Sequence, residues 1–172
     1  NDLETVMKFN RLCDDYGLDT MSTGNIIGLA MDITESKLHD YGIKFGDTKE
    51  FLTLIEEIAT GSTSRGKDLA LGAQKLAEKH NAQDKAAHSK NLEMPAYDPR
   101  GNYGMALGYA TSERGACHLR SFTLFEEEPF KVKEMTRAVM DNQNLNAVKF
   151  SMGLCDFWGT VDTGIMADFL TK

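Results

Sequence analysis

Two short segments with nearly the same sequence place the strongest constraint on how this chain of 172 residues can fold. Residues 14–19 read Asp-Asp-Tyr-Gly-Leu-Asp, and residues 152–156 read Met-Gly-Leu-Cys-Asp. In both segments the Gly-Leu pair follows apolar residues that recur at helical intervals. Because glycine readily adopts a positive φ, each pair predicts a helix that ends near Gly17 or Gly153 and leaves backbone N–H groups exposed there.

The residues directly after the two Gly-Leu pairs carry polar or metal-ligating side chains. These residues are Asp19, after Leu18, and Cys155, after Leu154. Exposed N–H groups beside a carboxylate or a thiolate suit the polar edge of a flat heterocycle. The two turns are therefore the first candidates for a ligand-binding site.

The rest of the pattern predicts an all-α, multihelical fold. The chain contains only three prolines, and apolar residues recur at helical spacing along most of it. Ser22 or Thr23 is a candidate N-cap for one helix, and Asp47, with Glu50 three residues later, is a candidate capping box for the next. Further helices are predicted over residues 68–80 and from residues 126–129 onward, with a bend at residues 142–146.

A polar stretch followed by Met94-Pro95 interrupts the helical pattern. We therefore predict two small helical lobes, residues 1–93 and 94–172. Each lobe then contains one of the two Gly-Leu turns. Because the apolar pattern is already helical near residue 3, we interpret the chain as a fragment or a split subunit of a larger protein.

Composition excludes several classes of protein. The formal net charge is −7, which argues against nucleic-acid binding, since that function usually needs a basic surface. No apolar run approaches the about 20 residues of a membrane-spanning helix. The three cysteines, Cys13, Cys117 and Cys155, are widely spaced and odd in number. They predict no disulfide framework and favour the cytoplasm, and they are too few to bind an iron–sulfur cluster alone.

Two residues could carry chemistry, and each has a simpler structural interpretation. His118 could exchange a proton with a substrate oxygen, or it could be a hydrogen-bonded structural histidine. Cys155 could ligate a metal, or it could be a small packed residue, as free cysteines often are. The other histidines, His39, His80 and His88, lie in polar stretches and are predicted to be solvated.

The two turns do not stand alone. Between them lie Tyr-Asp-Pro-Arg-Gly at residues 97–101 and a segment at residues 109–120 that ends in Cys-His-Leu-Arg. This set, in this order, resembles the tungsten-containing aldehyde:ferredoxin oxidoreductase family. The resemblance extends over nearly the whole chain, and it is to the C-terminal helical region of the family rather than to a complete enzyme.

The resemblance implies roles for particular residues. His118 would be the catalytic residue near the metal and the aldehyde, and Arg120 would contact the pterin. Cys155 would be a metal ligand, the fourth thiolate of a 4Fe–4S cluster, and would bridge that cluster to the pterin. The remaining residues implied to bind the cofactor belong to the two turns: Asp14, Gly17, Leu18, Asp19, Gly153 and Leu154.

The chain departs from the family at a few positions. The family usually has an aspartate three residues before the second glycine, where this chain has Phe150, so one hydrogen bond to the pterin is missing. Some members carry a Glu-x-x-His pair that binds a metal at a dimer contact. Lys8 and Arg11 occupy those positions here, and we predict no metal there. Phe157 continues the match after Cys155, and we interpret Trp158 as a core residue.

The function implied by the resemblance is oxidation of aldehydes to carboxylic acids at a tungsten or molybdenum bis-pterin site. Electrons would pass through a 4Fe–4S cluster to ferredoxin. The implied partners are ferredoxin, the aldehyde and an N-terminal part of the enzyme, and a homodimer is compatible with them. We expect this chain alone to bind no cofactor. Two alternatives stay open: part of a tungsten-dependent reductase of aromatic acyl-CoA rings, and a helical scaffold without a cofactor.

Overall fold

The computed structural model describes residues 2–155 and 163–171 and has the predicted all-α, multihelical fold. Phe157 and Trp158 lie outside these residues. The α-helices are α1 Leu3–Tyr16, α2 Thr20–Glu35, α3 Thr48–Thr60, α4 Ser64–Leu69, α5 Ala73–His80, α6 Tyr103–Thr111, α7 Val132–Ser151 and α8 Thr163–Leu170. Two 3-10 helices, η1 Pro99–Gly101 and η2 His118–Arg120, and two strands, β1 His88–Ser89 and β2 Leu92–Glu93, complete the described elements. No helix among the described residues is both long enough and apolar enough to cross a bilayer.

Several helix boundaries differ from the sequence prediction. α2 is capped by Asp19, whose carboxylate accepts a hydrogen bond from the Ser22 N–H at 2.7 Å, so Ser22 and Thr23 are not its N-cap. The single helix predicted over residues 68–80 is two helices, because Gly72 has a φ of 86° and begins α5 as its N-cap. The capping box was predicted correctly at its first position, since Asp47 accepts from the Glu50 N–H at 3.1 Å.

The second half of the chain also differs in detail. α7 begins later than predicted, with Lys131 as its N-cap, and runs without a break to Ser151. Residues 142–146, where a bend was predicted, therefore do not interrupt the helix. The two strands form a short antiparallel hairpin in which His88 is opposite Glu93 and Ser89 is opposite Leu92.

The described chain forms two compact units. Unit 1 contains the residues up to Tyr97 together with Glu113–Ala116, and unit 2 contains Asp98–Ser112 and the described residues from Cys117 onward. α1 to α5 and the hairpin therefore belong to unit 1, and α6, η2 and α7 belong to unit 2. The segment Glu113–Ala116 joins unit 1 at the hairpin, where the Ala116 N–H donates to the Ser89 carbonyl oxygen at 3.3 Å.

Unit 1 is built around a continuous apolar core. The buried side chains come from α1 to α5 and the loops between them, and the largest that are fully enclosed include Ile27, Tyr41, Leu54 and Leu76. Burying a side chain of this size contributes about 1.5–3 kcal/mol each. The periodic apolar residues noted in the sequence thus supply the stability of this unit.

One carboxylate connects three elements of unit 1. Glu93 on β2 accepts from the N–H of Ala73 at 2.8 Å and from the hydroxyl of Ser22 at 2.9 Å. Gly72 has no side chain with which to cap α5. The Glu93 carboxylate therefore caps the N-terminus of this helix, where a negative charge is favoured.

A second polar network is formed by Arg65 and two carboxylates. The guanidinium donates to both oxygens of Glu57 at 2.7 Å and to Glu50 at 3.0 Å, and it also reaches the Tyr41 carbonyl oxygen at 3.1 Å. The hydrogen bonds from Arg65 lower the pKa of Glu57 below its usual value. This bidentate pair holds the loop after α2 against α3 and α4.

Unit 2 is assembled around a glycine-containing helix, α6. A Cβ at Gly104 would overlap the Thr123 hydroxyl, and one at Gly108 would lie 3.1 Å from the Ser121 Cβ. The small residues therefore let the segment 121–123 lie directly against α6. Asn102 completes this contact, because its amide donates to the Thr123 carbonyl oxygen at 2.9 Å and its side-chain oxygen accepts from the Met105 N–H at 2.9 Å.

Candidate functional site

The first Gly-Leu turn is a left-handed helix cap between α1 and α2. Gly17 has a φ of 68°, as predicted. The Leu18 N–H donates to the Cys13 carbonyl oxygen at 2.8 Å, and the Gly17 N–H donates to that of Asp14 at 3.2 Å. This hydrogen-bond pattern is the Schellman motif, in which the turn satisfies the last free carbonyl groups of the helix. Asp19 then begins α2 at once.

The second Gly-Leu turn repeats this backbone geometry at the end of α7. Gly153 also has a φ of 68°. The Leu154 N–H donates to the Lys149 carbonyl oxygen at 2.9 Å, and the Gly153 N–H donates to that of Phe150 at 3.1 Å. The same two positions, counted from the glycine, make the same two hydrogen bonds in both turns. The similar sequences therefore do encode similar local structures.

The predicted exposure of the N–H groups in these turns is wrong, because the helix carbonyl groups use them. What remains open among the described residues is the surface beside each glycine, since a Cβ at Gly17 or Gly153 would have none of their atoms within 4 Å. The side chains that follow, Asp19 and Cys155, are both exposed. Each turn is thus an open surface with a carboxylate or a thiol at its edge, and a flat ring has room to lie there.

The chemical difference between the turns lies in their side chains. Asp14 and Asp19 give the first turn two carboxylates, and Asp14 accepts a hydrogen bond from the Asn10 amide at 3.3 Å. Phe150 and Cys155 occupy the matching positions of the second turn. Carboxylates accept hydrogen bonds from ring N–H groups, whereas a thiolate binds soft metals.

The histidine segment of unit 2 is anchored on α7. η2 consists of His118, Leu119 and Arg120. The Asn146 amide of α7, a buried side chain, donates to the Leu119 carbonyl oxygen at 2.7 Å. The His118 ring lies edge-to-face with Phe122, with 6.0 Å between the ring centroids. Asn146, which the sequence indicated only as a bend, is thus a residue that fixes the position of His118.

Arg120 contacts the same helix one turn further along. Its guanidinium carbon lies 4.5 Å from the centre of the Phe150 ring, which is the geometry of a cation–π interaction. Phe150 lies three residues before Gly153, and its carbonyl oxygen accepts the hydrogen bond from the glycine N–H. Within unit 2 the fold therefore brings together Arg120 and the turn that carries Cys155.

The predicted site residues are thus distributed over both units. Asp14, Gly17, Leu18 and Asp19 lie in unit 1, and His118, Arg120, Gly153, Leu154 and Cys155 lie in unit 2. Of the three cysteines, Cys13 and Cys117 are buried and Cys155 is exposed. Among the described residues, no group of three or more His, Cys, Asp or Glu side chains is arranged to hold a metal ion.

These residues fit a pterin with a thiolate-bound metal cluster nearby, as judged from the open surfaces of the turns and the donors at their edges. Two carboxylates and two glycine surfaces could hold the pterin rings. The exposed Cys155 could supply one thiolate of a cluster. An Fe–S cluster usually takes four thiolates, and the other two cysteines of the chain are enclosed in its interior.

A cluster of aromatic and imidazole rings in unit 1 was missed by the sequence analysis. The buried Tyr41 hydroxyl lies 2.6 Å from His80 Nε2, and the His39 ring stacks on His80 with 4.8 Å between centroids. Burial, and then the proximity of His39, lowers the pKa of His80. The prediction that His80 is merely solvated is therefore wrong. The one sequence signal for this cluster was an aromatic residue, Tyr41, between the stretches that contain His39 and His80.

An all-α chain with two open glycine turns and one exposed thiol has the features of a cofactor-binding helical region. Comparison of its sequence with known proteins gives the family. The whole chain, residues 1–172, matches the sequence model described as "Aldehyde ferredoxin oxidoreductase, domains 2 & 3". The chain therefore belongs to the aldehyde ferredoxin oxidoreductase family, an oxidoreductase family, as the resemblance predicted.

Individual relatives agree with this assignment. The tungsten-containing aldehyde ferredoxin oxidoreductase of Pyrococcus furiosus is 36% identical over an alignment 173 residues long that covers 91% of this chain and 28% of the relative. The protein of the same name from Thermococcus kodakarensis is 35% identical, and the alignment again covers 91% of this chain and 28% of the relative. The aliphatic sulfonate oxidoreductase, WOR-like subunit, of Pyrococcus furiosus is 29% identical over an alignment 134 residues long that covers 70% of this chain and 21% of the relative. The chain thus spans less than a third of the length of these relatives.

Proposed function

We propose that this chain is the C-terminal cofactor-binding part of an enzyme that oxidises aldehydes to carboxylic acids. Water supplies the added oxygen atom, and the aldehyde and the water together release two electrons and two protons. A tungsten bis-pterin, when bound, supplies the redox chemistry, and the protein supplies orientation and electrostatics. A 4Fe–4S cluster, to which Cys155 would contribute a thiolate, would carry the electrons towards ferredoxin.

The observation that carries this proposal is the repeated turn. Two glycines with the same φ of 68° end two different helices, and no atom of the part of the chain that the structure describes fills the space beside either. Helix packing alone does not require an open surface followed by an exposed Asp19 in one turn and an exposed Cys155 in the other. A pair of pterin rings accounts for the repeat. The relatives named aldehyde ferredoxin oxidoreductases are also named as tungsten-containing.

His118 is the residue that we assign to the aldehyde. Its imidazole can donate a hydrogen bond to the carbonyl oxygen or accept a proton as the acid forms. It is partly exposed, and the bond from Asn146 to the neighbouring Leu119 carbonyl holds its backbone in place. A fixed backbone keeps the imidazole in reach of one reacting position, which is how orientation lowers a barrier.

Cys155 and the turn residues are assigned to the cofactors. Cys155 provides a thiolate to the cluster, because iron in such clusters prefers sulfur to oxygen. Asp14 and Asp19 would accept hydrogen bonds from the pterin N–H groups, since the carboxylate of Asp19 has lone pairs left after capping α2. Arg120 contacts the second pterin as a cation.

The comparisons favour an aldehyde over other substrates of the family. The relatives named for aldehydes match 91% of this chain, whereas the relative named for aliphatic sulfonates matches 70% at lower identity. A cofactor-free scaffold is the alternative from another class. The exposed thiol beside an open turn argues against it, because a scaffold gains nothing from that combination.

The decisive experiment uses the protein at the length of its relatives, expressed anaerobically with tungstate. We expect tungsten, pterin and iron in the purified protein and aldehyde-dependent reduction of a viologen dye. Cys155→Ser should abolish or weaken the cluster signal in electron paramagnetic resonance, with Cys117→Ser as the matched control. Protein that binds neither tungsten nor pterin would favour the scaffold.

A further inference from the structure

The contact between Arg120 and Phe150 has no equivalent in the first turn. At the matching position, three residues before the glycine, the first turn has Asp14, whose carboxylate is exposed. In the second turn an aromatic ring occupies that position and lies under a guanidinium at 4.5 Å. The loss of a carboxylate at this position is therefore accompanied by the gain of a surface that holds a cation.

We propose that Phe150 is a positioning residue that holds the Arg120 guanidinium beside the second glycine turn, ready to contact the pterin. This inference rests on the proposed function, because it takes the pterin as the group that Arg120 meets. It adds a role for Phe150, the position at which the chain departs from its family.

The first argument is the entropy of the arginine side chain. A free Arg side chain has many rotamers, and fixing it costs up to about 2 kcal/mol. The face of an aromatic ring attracts the guanidinium and restricts it before any ligand arrives. Part of the ordering cost of binding is then already met in the folded protein.

The second argument is that both partners are themselves fixed. Phe150 belongs to the last turn of α7, and its carbonyl oxygen accepts the Gly153 N–H at 3.1 Å. Arg120 ends η2, which Asn146 ties to the same helix through the Leu119 carbonyl oxygen. Two attachments, one through the backbone and one through the ring, join η2 to the last two turns of α7.

The third argument is the geometry of the donors. A guanidinium over a ring offers its face to the ring and keeps N–H groups in its plane. Those N–H groups can donate to carbonyl or phosphate oxygens of a ligand. A carboxylate in place of Phe150 would instead compete for the same N–H groups. The ring therefore positions Arg120 without using its donors.

The test measures how fast the intact enzyme, at the length of its relatives, releases its pterin in dilute denaturant. We expect Phe150→Leu to accelerate release about three- to thirtyfold, the range of a cation–π contact. Phe150→Tyr keeps the ring face and should release pterin at nearly the wild-type rate. Arg120→Met removes the other partner of the contact and should accelerate pterin release at least as much as Phe150→Leu does.

The double variant separates positioning from packing. If Phe150 acts through Arg120, then Phe150→Leu has little further effect in the Arg120→Met background. Additive effects, or equal acceleration by Phe150→Leu and Phe150→Tyr, would overturn the inference while leaving the proposed function intact. A wild-type enzyme without pterin would overturn the proposed function, and this inference with it.

Discussion

The two units of the chain have different interiors. In unit 1, buried apolar side chains greatly outnumber the buried polar ones, which are Thr23 and Glu57. In the described part of unit 2, buried polar residues are at least as numerous as apolar ones. The apolar residues are Met105, Tyr109, Cys117, Met135 and Val139, and the polar residues are Asn102, Ser112, Ser121, Thr123, Asn146 and Lys149.

The difference shows how a fold can separate stability from precision. An apolar core stabilises in proportion to the area it buries but tolerates small shifts. Buried polar groups are costly unless each is hydrogen-bonded, so they permit fewer arrangements. In the described part of unit 2, the buried Asn102 and Asn146 amides bond the carbonyl oxygens of Thr123 and Leu119, and so fix the segment that begins directly after His118. We interpret unit 1 as the more stable framework and unit 2 as the more exactly positioned part.

The largest expected effect concerns His118 in unit 2. In the intact enzyme, His118→Asn should lower kcat about 10²–10⁴-fold, which is the usual share of general acid–base catalysis. The tungsten content should stay near normal, because the two glycine turns are untouched. Rate and tungsten should be measured on the same preparation, with His88→Asn as the control. Full activity per tungsten would remove His118 from the active site.

A core substitution in unit 1 tests the other side of the comparison. Leu76 on α5 is fully buried, and Leu76→Ala should lower the free energy of unfolding by about 2–5 kcal/mol because it leaves a cavity. Turnover per bound tungsten should be unchanged in the protein that remains folded. Thermal unfolding and single-preparation kinetics measure the two quantities. A large loss of turnover per tungsten would mean that unit 1 is not simply a framework.

A polar substitution in unit 2 should show the opposite balance. Asn146→Leu leaves the Leu119 carbonyl oxygen without its donor and should cost about 1–3 kcal/mol of stability. It should also lower turnover, since the backbone beside His118 loses its attachment. Asn142→Leu is the matched control, because the Asn142 amide donates within its own helix, to the Ala138 carbonyl oxygen. If both variants lower turnover equally, the attachment of η2 has no special role.

The smallest effect is a pH dependence of stability from His80 in unit 1. Its pKa is lowered by burial and by His39 and Lys79, while Asp68 acts in the opposite direction. Below about pH 6.5 the unfolded chain therefore binds a proton that the folded chain resists. Stability from this group is complete above that pH and is lost as the pH falls through the lowered pKa.

Melting temperatures at pH 7.5 and pH 5.0 measure this dependence. We expect His80→Gln to reduce the difference between them, since glutamine can still bond the Tyr41 hydroxyl without titrating. His39→Gln should reduce it in part, because it removes one neighbouring positive charge. An unchanged difference in His80→Gln would assign the pH dependence to other groups.

Much of the local structure could be predicted from sequence. The Asp47 cap and the positive φ of Gly17 and Gly153 all follow from residue chemistry over a few positions. Errors arose where distant groups intervene. Gly72 splits a predicted helix because Glu93, from another element, caps the second part. The sequence did not indicate the role of Asn146, whose amide bonds a carbonyl oxygen in η2.

The sequence by itself determined the helical class, the two glycine turns and the family. These depend on periodicity, on the conformational freedom of glycine and on the order of short segments, and all three are written along the chain. Only the tertiary structure decided that Arg120 lies over Phe150 and that His80 meets Tyr41. These contacts join residues that are 30 or more positions apart. Side-chain packing sets such distances, and no local pattern encodes them.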